Sequence, residues 1–141
     1  MGPKHGVARG VAVFTSSTSD TTNVVDGPLP NSHRLERWSL SFDVVLSDDL
    51  ASLEAIDVHL NEWASDPSHH EHVDLGNDVG IYLGNVIVKN VAGSRWRVWP
   101  NGHPVIALSS EKELDVIAMV GERVLGSGGS LPSIYGIAST M

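Results

Sequence analysis

Two strand-like runs on either side of Asn101-Gly102 constrain this chain more than any other feature. The segment reads Arg95-Trp96-Arg97-Val98-Trp99-Pro100-Asn101-Gly102-His103-Pro104-Val105-Ile106-Ala107-Leu108. Asn-Gly between runs of this kind is the strongest short-range signal for a β-hairpin. Pro100 and Pro104 have no N–H to give to a ladder, so the pairing is expected to begin just outside the turn. Successive strand side chains point to opposite faces, which sends Trp96 and Val98 one way and Arg95, Arg97 and Trp99 the other. With Trp96 and Val98 in the core, two guanidiniums and an indole are expected together in water.

The remaining elements follow from periodicity and punctuation. Trp38, Leu40, Phe42 and Val44 alternate with polar neighbours over Arg37–Val44, the period of a strand with one buried face. Ser47, Asp48 and Asp49 supply a cap and first-turn acids for a helix whose stripe is Leu50, Leu53, Ile56, Leu60 and Trp63, ended by Asp66-Pro67. A second helix carries Leu75, Val79, Tyr82, Leu83, Val86 and Ile87 on one face. Gly80 and Gly84 lower its propensity by about 1 kcal/mol each. Close approach of another backbone would repay that, which marks this helix as the central one.

Ser110 through Glu113 has the spacing of a capping box, opening a helix with Leu114, Ile117, Val120, Val124 and Leu125 inward and Gly126 as its C-cap. Ser130 and Pro132 start a short last helix bearing Ile134, Tyr135 and Ile137. Residues 1–32 read as a flexible segment, with a polar Ser/Thr tract, a Gly27-Pro28 breaker and at most a short strand around Val11–Phe14. Residues 33–141 read as a single α+β domain in the order β-α-α-β-β-α-α. That is a small antiparallel sheet, one strand plus the hairpin, with about four helices packed on one face.

A chain of 141 residues, 41% of them hydrophobic, suffices for one core without staples. It has no cysteine, which excludes disulfides, thiolate metal sites and a cysteine nucleophile and leans toward a reducing compartment. No apolar run reaches bilayer length and no signal-peptide core follows Lys4 and Arg9, so the expected location is the cytoplasm, away from membranes. Net charge is −8, and its layout is one-sided. Ten carboxylates and no Lys or Arg fall between Trp38 and Val88, while Lys89, Arg95, Arg97, Lys112 and Arg123 follow. So small a cationic footprint argues against nucleic acid as a partner. An acidic surface suits a basic protein partner, or simply keeps the chain soluble.

Few constellations here carry chemistry. His69 and His72, with His70, Glu71 and His59 nearby, are weak candidates for zinc or nickel, but their spacing matches no metal motif. No G-x-S-x-G elbow supports a hydrolase triad. The Gly126–Ser130 run lacks a P-loop lysine and follows a helix, which makes it a connector rather than a phosphate cradle. No cofactor fingerprint is present. The outward set Arg95, Arg97 and Trp99 has hot-spot chemistry, since Trp and Arg are enriched at protein interfaces.

Gly80-Ile81-Tyr82-Leu83-Gly84, the block from Gly93 to Val105, and Glu113-Leu114-Asp115-Val116 together resemble a family of small uncharacterised actinobacterial proteins, a domain of unknown function. The likeness covers about residues 48–138 and finds no counterpart for the chain before about Asn31. It implies an actinobacterial cytoplasmic setting, lends no catalytic residue, and points to Tyr82, Arg95, Trp96, Trp99, Asn101, His103 and Asp115.

The expected function is a non-enzymatic protein-binding or accessory module, of the immunity type among others, using the acidic helices and the Arg/Trp hairpin with Arg95, Arg97, Trp99, His103 and Tyr82. The alternative is a small-molecule binder or minor enzyme with a pocket near Tyr82, Trp99 and His103. Homodimerisation through the exposed indole is a third outcome.

Overall fold

The computed structural model describes residues 13–15, 24–25, 27–64 and 71–140. Their architecture is α+β, with five helices on a small antiparallel sheet. The elements run β1 (Val13–Thr15), β2 (Val24–Val25), α1 (His33–Ser41), α2 (Leu50–Ala64), α3 (Glu71–Asn90), β3 (Arg95–Val98), β4 (Pro104–Ala107), β5 (Lys112–Leu114), α4 (Val116–Val124) and α5 (Leu131–Thr140). The centre of the sheet is the meander β3-β4-β5, and β1 and β2 pair onto its two ends to give the order β1-β5-β4-β3-β2. Both end strands come from the first 32 residues, β1 close to the short strand allowed around Val11–Phe14. The flexibility expected of residues 1–32 falls largely outside the described residues.

Two expected elements are corrected. Arg37–Ser41 of the expected strand is helical, and residues 42–44 form the turn that ends the helix. Ser32 caps α1 by accepting the Leu35 N–H at 3.0 Å, and the helix buries Leu35 and Ser39, one turn apart. The alternation of apolar residues misled because Leu40 and Phe42 face solvent, 80% and 51% exposed. The third central strand is instead β5, in the stretch taken for a capping box. There Glu111 adopts φ 74 and the Leu108 carbonyl accepts its N–H, closing a β4–β5 turn. Helix α4 begins later, capped by Asp115 through the Ala118 N–H at 3.1 Å. Leu125, expected inward, lies exposed past its end.

The other helices form where their patterns place them, although Leu50 of the expected α2 stripe is 41% exposed and the Trp63 side chain lies outside the described residues. Leu53, Ile56 and Leu60 of α2 are fully buried. Asp49 caps that helix, accepting the Ser52 N–H, while its own N–H points to the Ser52 hydroxyl. Hydrogen bonds from Ser47 and the Ser52 N–H hold the Asp49 carboxyl below its ordinary range. Helix α3 remains helical through Val86–Asn90 and is the hub, packed most extensively on α4 and also touching α1, α2, α5, β3 and β4. A Cβ on Gly80 would stand 2.8 Å from the Ile117 backbone, and one on Gly84 would overlap the Trp96 indole. One glycine admits a helix and the other admits a ring.

Polar groups inside the core are paired, as burial demands. Asn85 accepts from the Leu29 N–H at 2.8 Å and the Trp96 indole N–H at 2.9 Å, and donates to the Leu29 carbonyl at 2.7 Å. Arg123 of α4 grips Asp57 of α2 with two bonds of 3.0 Å, and Asp57 also accepts the Leu131 N–H that opens α5. No described helix is long and apolar enough to cross a membrane.

Candidate functional site

The hairpin end gathers most of the residues singled out by the sequence. The Trp99 N–H donates to the His103 carbonyl at 2.9 Å, and the Gly102 N–H donates to the Trp99 carbonyl at 2.8 Å. That second bond closes a β-turn over Trp99–Gly102 with Pro100 at its second position, where a fixed φ helps. Gly102 follows with φ +89 and open space around it, so the loop is three residues, Pro100-Asn101-Gly102. The Asn101 carboxamide accepts the His103 N–H at 3.0 Å, which sets the course of the returning strand.

Trp96 is fully buried against α3 and Val98 is half-buried on the same face. On the opposite face the expectation of two free guanidiniums and an indole is corrected. Glu113 of β5 reaches across the sheet, and Arg97 Nη1 donates to its Oε2 at 3.0 Å while Trp99 Nε1 donates to its Oε1 at 3.2 Å. The Arg97 side chain is only 12% exposed. Val105 and Ala107, which share this face, are also buried without joining the helical core. Arg95 is half-buried and donates to the Gly93 carbonyl at 2.9 Å. Arg97 therefore serves the sheet, in a face that is covered rather than presented, while Arg95 bonds back to its own loop at the more open edge.

His103 lies beside this group. Its Nε2 is 2.8 Å from Asp115 Oδ1, the same oxygen that caps α4, and its ring centroid is 5.5 Å from that of Trp99. Trp99, His103, Glu113 and Asp115 thus form one polar cluster at the hairpin end, with the histidine ring partly open to solvent. A histidine oriented by a carboxylate is able to accept or donate a proton on its far side.

Tyr82 is placed elsewhere. It is fully buried on α3, its hydroxyl accepts the Asp48 N–H at 2.8 Å, and it shares a hydrogen bond with Ser52 at 2.9 Å. Burial pushes its phenol above the ordinary value. It braces the entry to α2 through Asp48 and Ser52. His69 and His70 fall outside the described residues, and so does the side chain of His72 at the start of α3. Among the described residues no group of three or more His, Asp or Glu side chains is placed to hold a metal ion.

A second surface was hidden from the sequence by the misread strand. Trp38 and Phe42 meet one turn apart on α1 with ring centroids 5.4 Å apart, and both pack on His59 of α2, at 5.2 and 5.1 Å. Asp43 follows at φ 56, and the Val44 N–H bonds back to the Ser39 carbonyl to end the helix. Glu62 stands beside His59, with Oε1 3.8 Å from Nδ1. The signal that would have found this surface is Ser32 followed by Leu35 and Ser39, a capped helix with a small buried face.

Comparison with known proteins leaves the chemistry of these surfaces open. No curated protein and no solved structure matches the chain. One family model does match, over residues 3–139, and so takes in the N-terminal stretch for which the resemblance offered no counterpart. The chain belongs to the family of unknown function DUF6278.

Proposed function

We propose that this domain is a non-enzymatic protein-binding module that meets a basic partner through the acidic surface of α2 and the turn that precedes it. The observation that carries this reading is how the charges are spent. Arg34, Arg97 and Arg123 are committed to pairs with Asp78, Glu113 and Asp57, whereas Asp43, Asp49, Glu54 and Glu62 are exposed on α2 or in the turn before it, against the exposed Arg37 of α1. Such a surface speeds encounter with a cationic partner and disfavours acidic ones. An accessory or immunity-type role in a reducing cytoplasm accords with it, and with the absence of cysteine. The test is capture of partners from native lysate on immobilised protein, followed by a salt gradient. Recovery of a basic protein that elutes early in the gradient is the expected result. Capture unaffected by salt, or none, refutes the reading.

The pairing of His103 with Asp115 beside Trp99 supports a second reading, a small-molecule binder or minor enzyme working at the hairpin end. A base held by an orienting carboxylate is the common core of acid–base catalysis. Thermal-shift screening against metabolites and nucleotides separates the two classes, because a ligand at one hundred times its dissociation constant adds about 2.7 kcal/mol.

A further inference from the structure

We infer that the surface where Phe42, the residue that caps the end of α1, rests on His59 of α2 is a docking site for a basic amphipathic segment of a protein partner. The inference rests on the protein-binding reading above and gives it a place. Its first support is apolar exposure. Phe42 is half exposed although its ring is fixed by Trp38 and His59, and Val58, next to His59 in sequence, and Val45, three residues past Phe42, are 62% and 72% exposed. Rigid aromatic and aliphatic groups left in water are what an interface anchor requires.

Charge identifies the occupant. Asp43 and Glu62, the latter 74% exposed, flank the aromatic group, and Glu54 is exposed one turn before Val58 on α2, against one exposed cation of α1 beside Trp38, Arg37. Neither α1 nor α2 has a basic residue in its last turn. Folding alone favours the reverse, since the C-terminal end of a helix carries partial negative charge and is stabilised by Lys or Arg. Asp43 bears a second cost, because its φ of 56 lies in the left-handed region that glycine adopts more readily. Asp43, kept where it costs stability, and Glu62, both beside exposed apolar side chains, complement a segment that presents leucine-like residues on one face and Lys or Arg on the other. Those cations would meet the acids, the helix ends and the face of the Phe42 ring.

The test uses the full chain and two synthetic amphipathic helical peptides, one of leucine and lysine and one of leucine and glutamate. Binding is followed by calorimetry and by amide shifts in nuclear magnetic resonance. The leucine–lysine peptide is expected to bind, to shift amides around Phe42 and His59, and to weaken as salt rises, while the glutamate peptide does not bind. Phe42→Ser is expected to weaken binding at least tenfold, a hot-spot effect. Asp43→Gly, which suits the backbone and so keeps the fold, is expected to weaken it about threefold through loss of one rim charge. Glu122→Gln on α4 is the control and leaves affinity unchanged. Equal binding by the Phe42 and Asp43 variants, equal binding of both peptides, or a dimer broken by Phe42→Ser without peptide binding overturns the inference. If the peptide is ignored while lysate capture stays salt-sensitive, this surface falls and the broader reading stands. If both fail, both fall.

Discussion

The indole N–H of Trp96 and the side-chain oxygen of Asn85 meet at 2.9 Å inside the core, and the same amide clasps both backbone groups of Leu29. One side chain therefore joins the central helix, the hairpin and the chain ahead of α1. Asn85→Ala strands a buried indole donor and the Leu29 groups. Since an unsatisfied buried group costs about 1–3 kcal/mol, the expected loss is about 2–4 kcal/mol in urea unfolding. Trp96→Phe, which removes the donor instead, should leave the Leu29 bonds intact.

Glycines in the same fold should respond with opposite signs. Gly84→Ala drives a methyl into the Trp96 ring, and overpacking of this kind costs about 1–3 kcal/mol. Gly136→Ala in α5 meets nothing within 4 Å and should gain about 0.5–1 kcal/mol from helix propensity. Thermal melts of the two variants beside the parent decide it.

Tyr82 links stability to alkaline pH. Burial raises its folded value above the ordinary 10.0, so above about pH 10 the unfolded chain gives up the phenolic proton first and binds fewer protons than the folded one. Stability is then complete below that pH and falls as pH rises toward the folded value. Tyr82→Phe should abolish this contribution to the slope while losing about 1 kcal/mol at neutral pH from the bonds to Asp48 and Ser52. Denaturation curves from pH 8 to 11 would show it.

Arg123 and Asp57 form an ion pair that is mostly out of water. Arg123→Ala leaves a carboxylate buried between α2 and α5, and losing one partner of such a pair costs about 3–5 kcal/mol. The exposed neighbour Glu122→Ala should stay within about 0.5 kcal/mol. Equal effects of the two would show that the pair contributes nothing.

What could be read from sequence was local. The hairpin was legible because Pro100, Asn101 and Gly102 dictate a turn by themselves, and α3 because Leu75, Val79, Tyr82, Leu83 and Val86 all face inward. Helix α1 was not, because Trp38, Leu40, Phe42 and Val44 alternate as a strand would, and periodicity assumes that apolar residues are buried. Here Leu40 and Phe42 are outside and a serine, Ser39, is inside. Strand β5 was missed since three residues are too few to display a period, and Ser110 to Glu113 imitates a cap. For the candidate site, Trp99 and His103 were found from their place at the turn. Glu113 was not, because its contact with Arg97 exists only once β4 lies between β3 and β5.

The pairing of β1 with β5 has a consequence for how the protein comes into being. Val13 faces Leu114, so β1 leaves the ribosome about a hundred residues ahead of its partner. Closure of such a distant contact is slow. That strand must wait while everything from α1 to β4 is synthesised, and the sheet is completed only when β5 emerges. A stalled or truncated product would hold an apolar strand with nothing to join, which makes this end of the molecule the one that chaperones should attend.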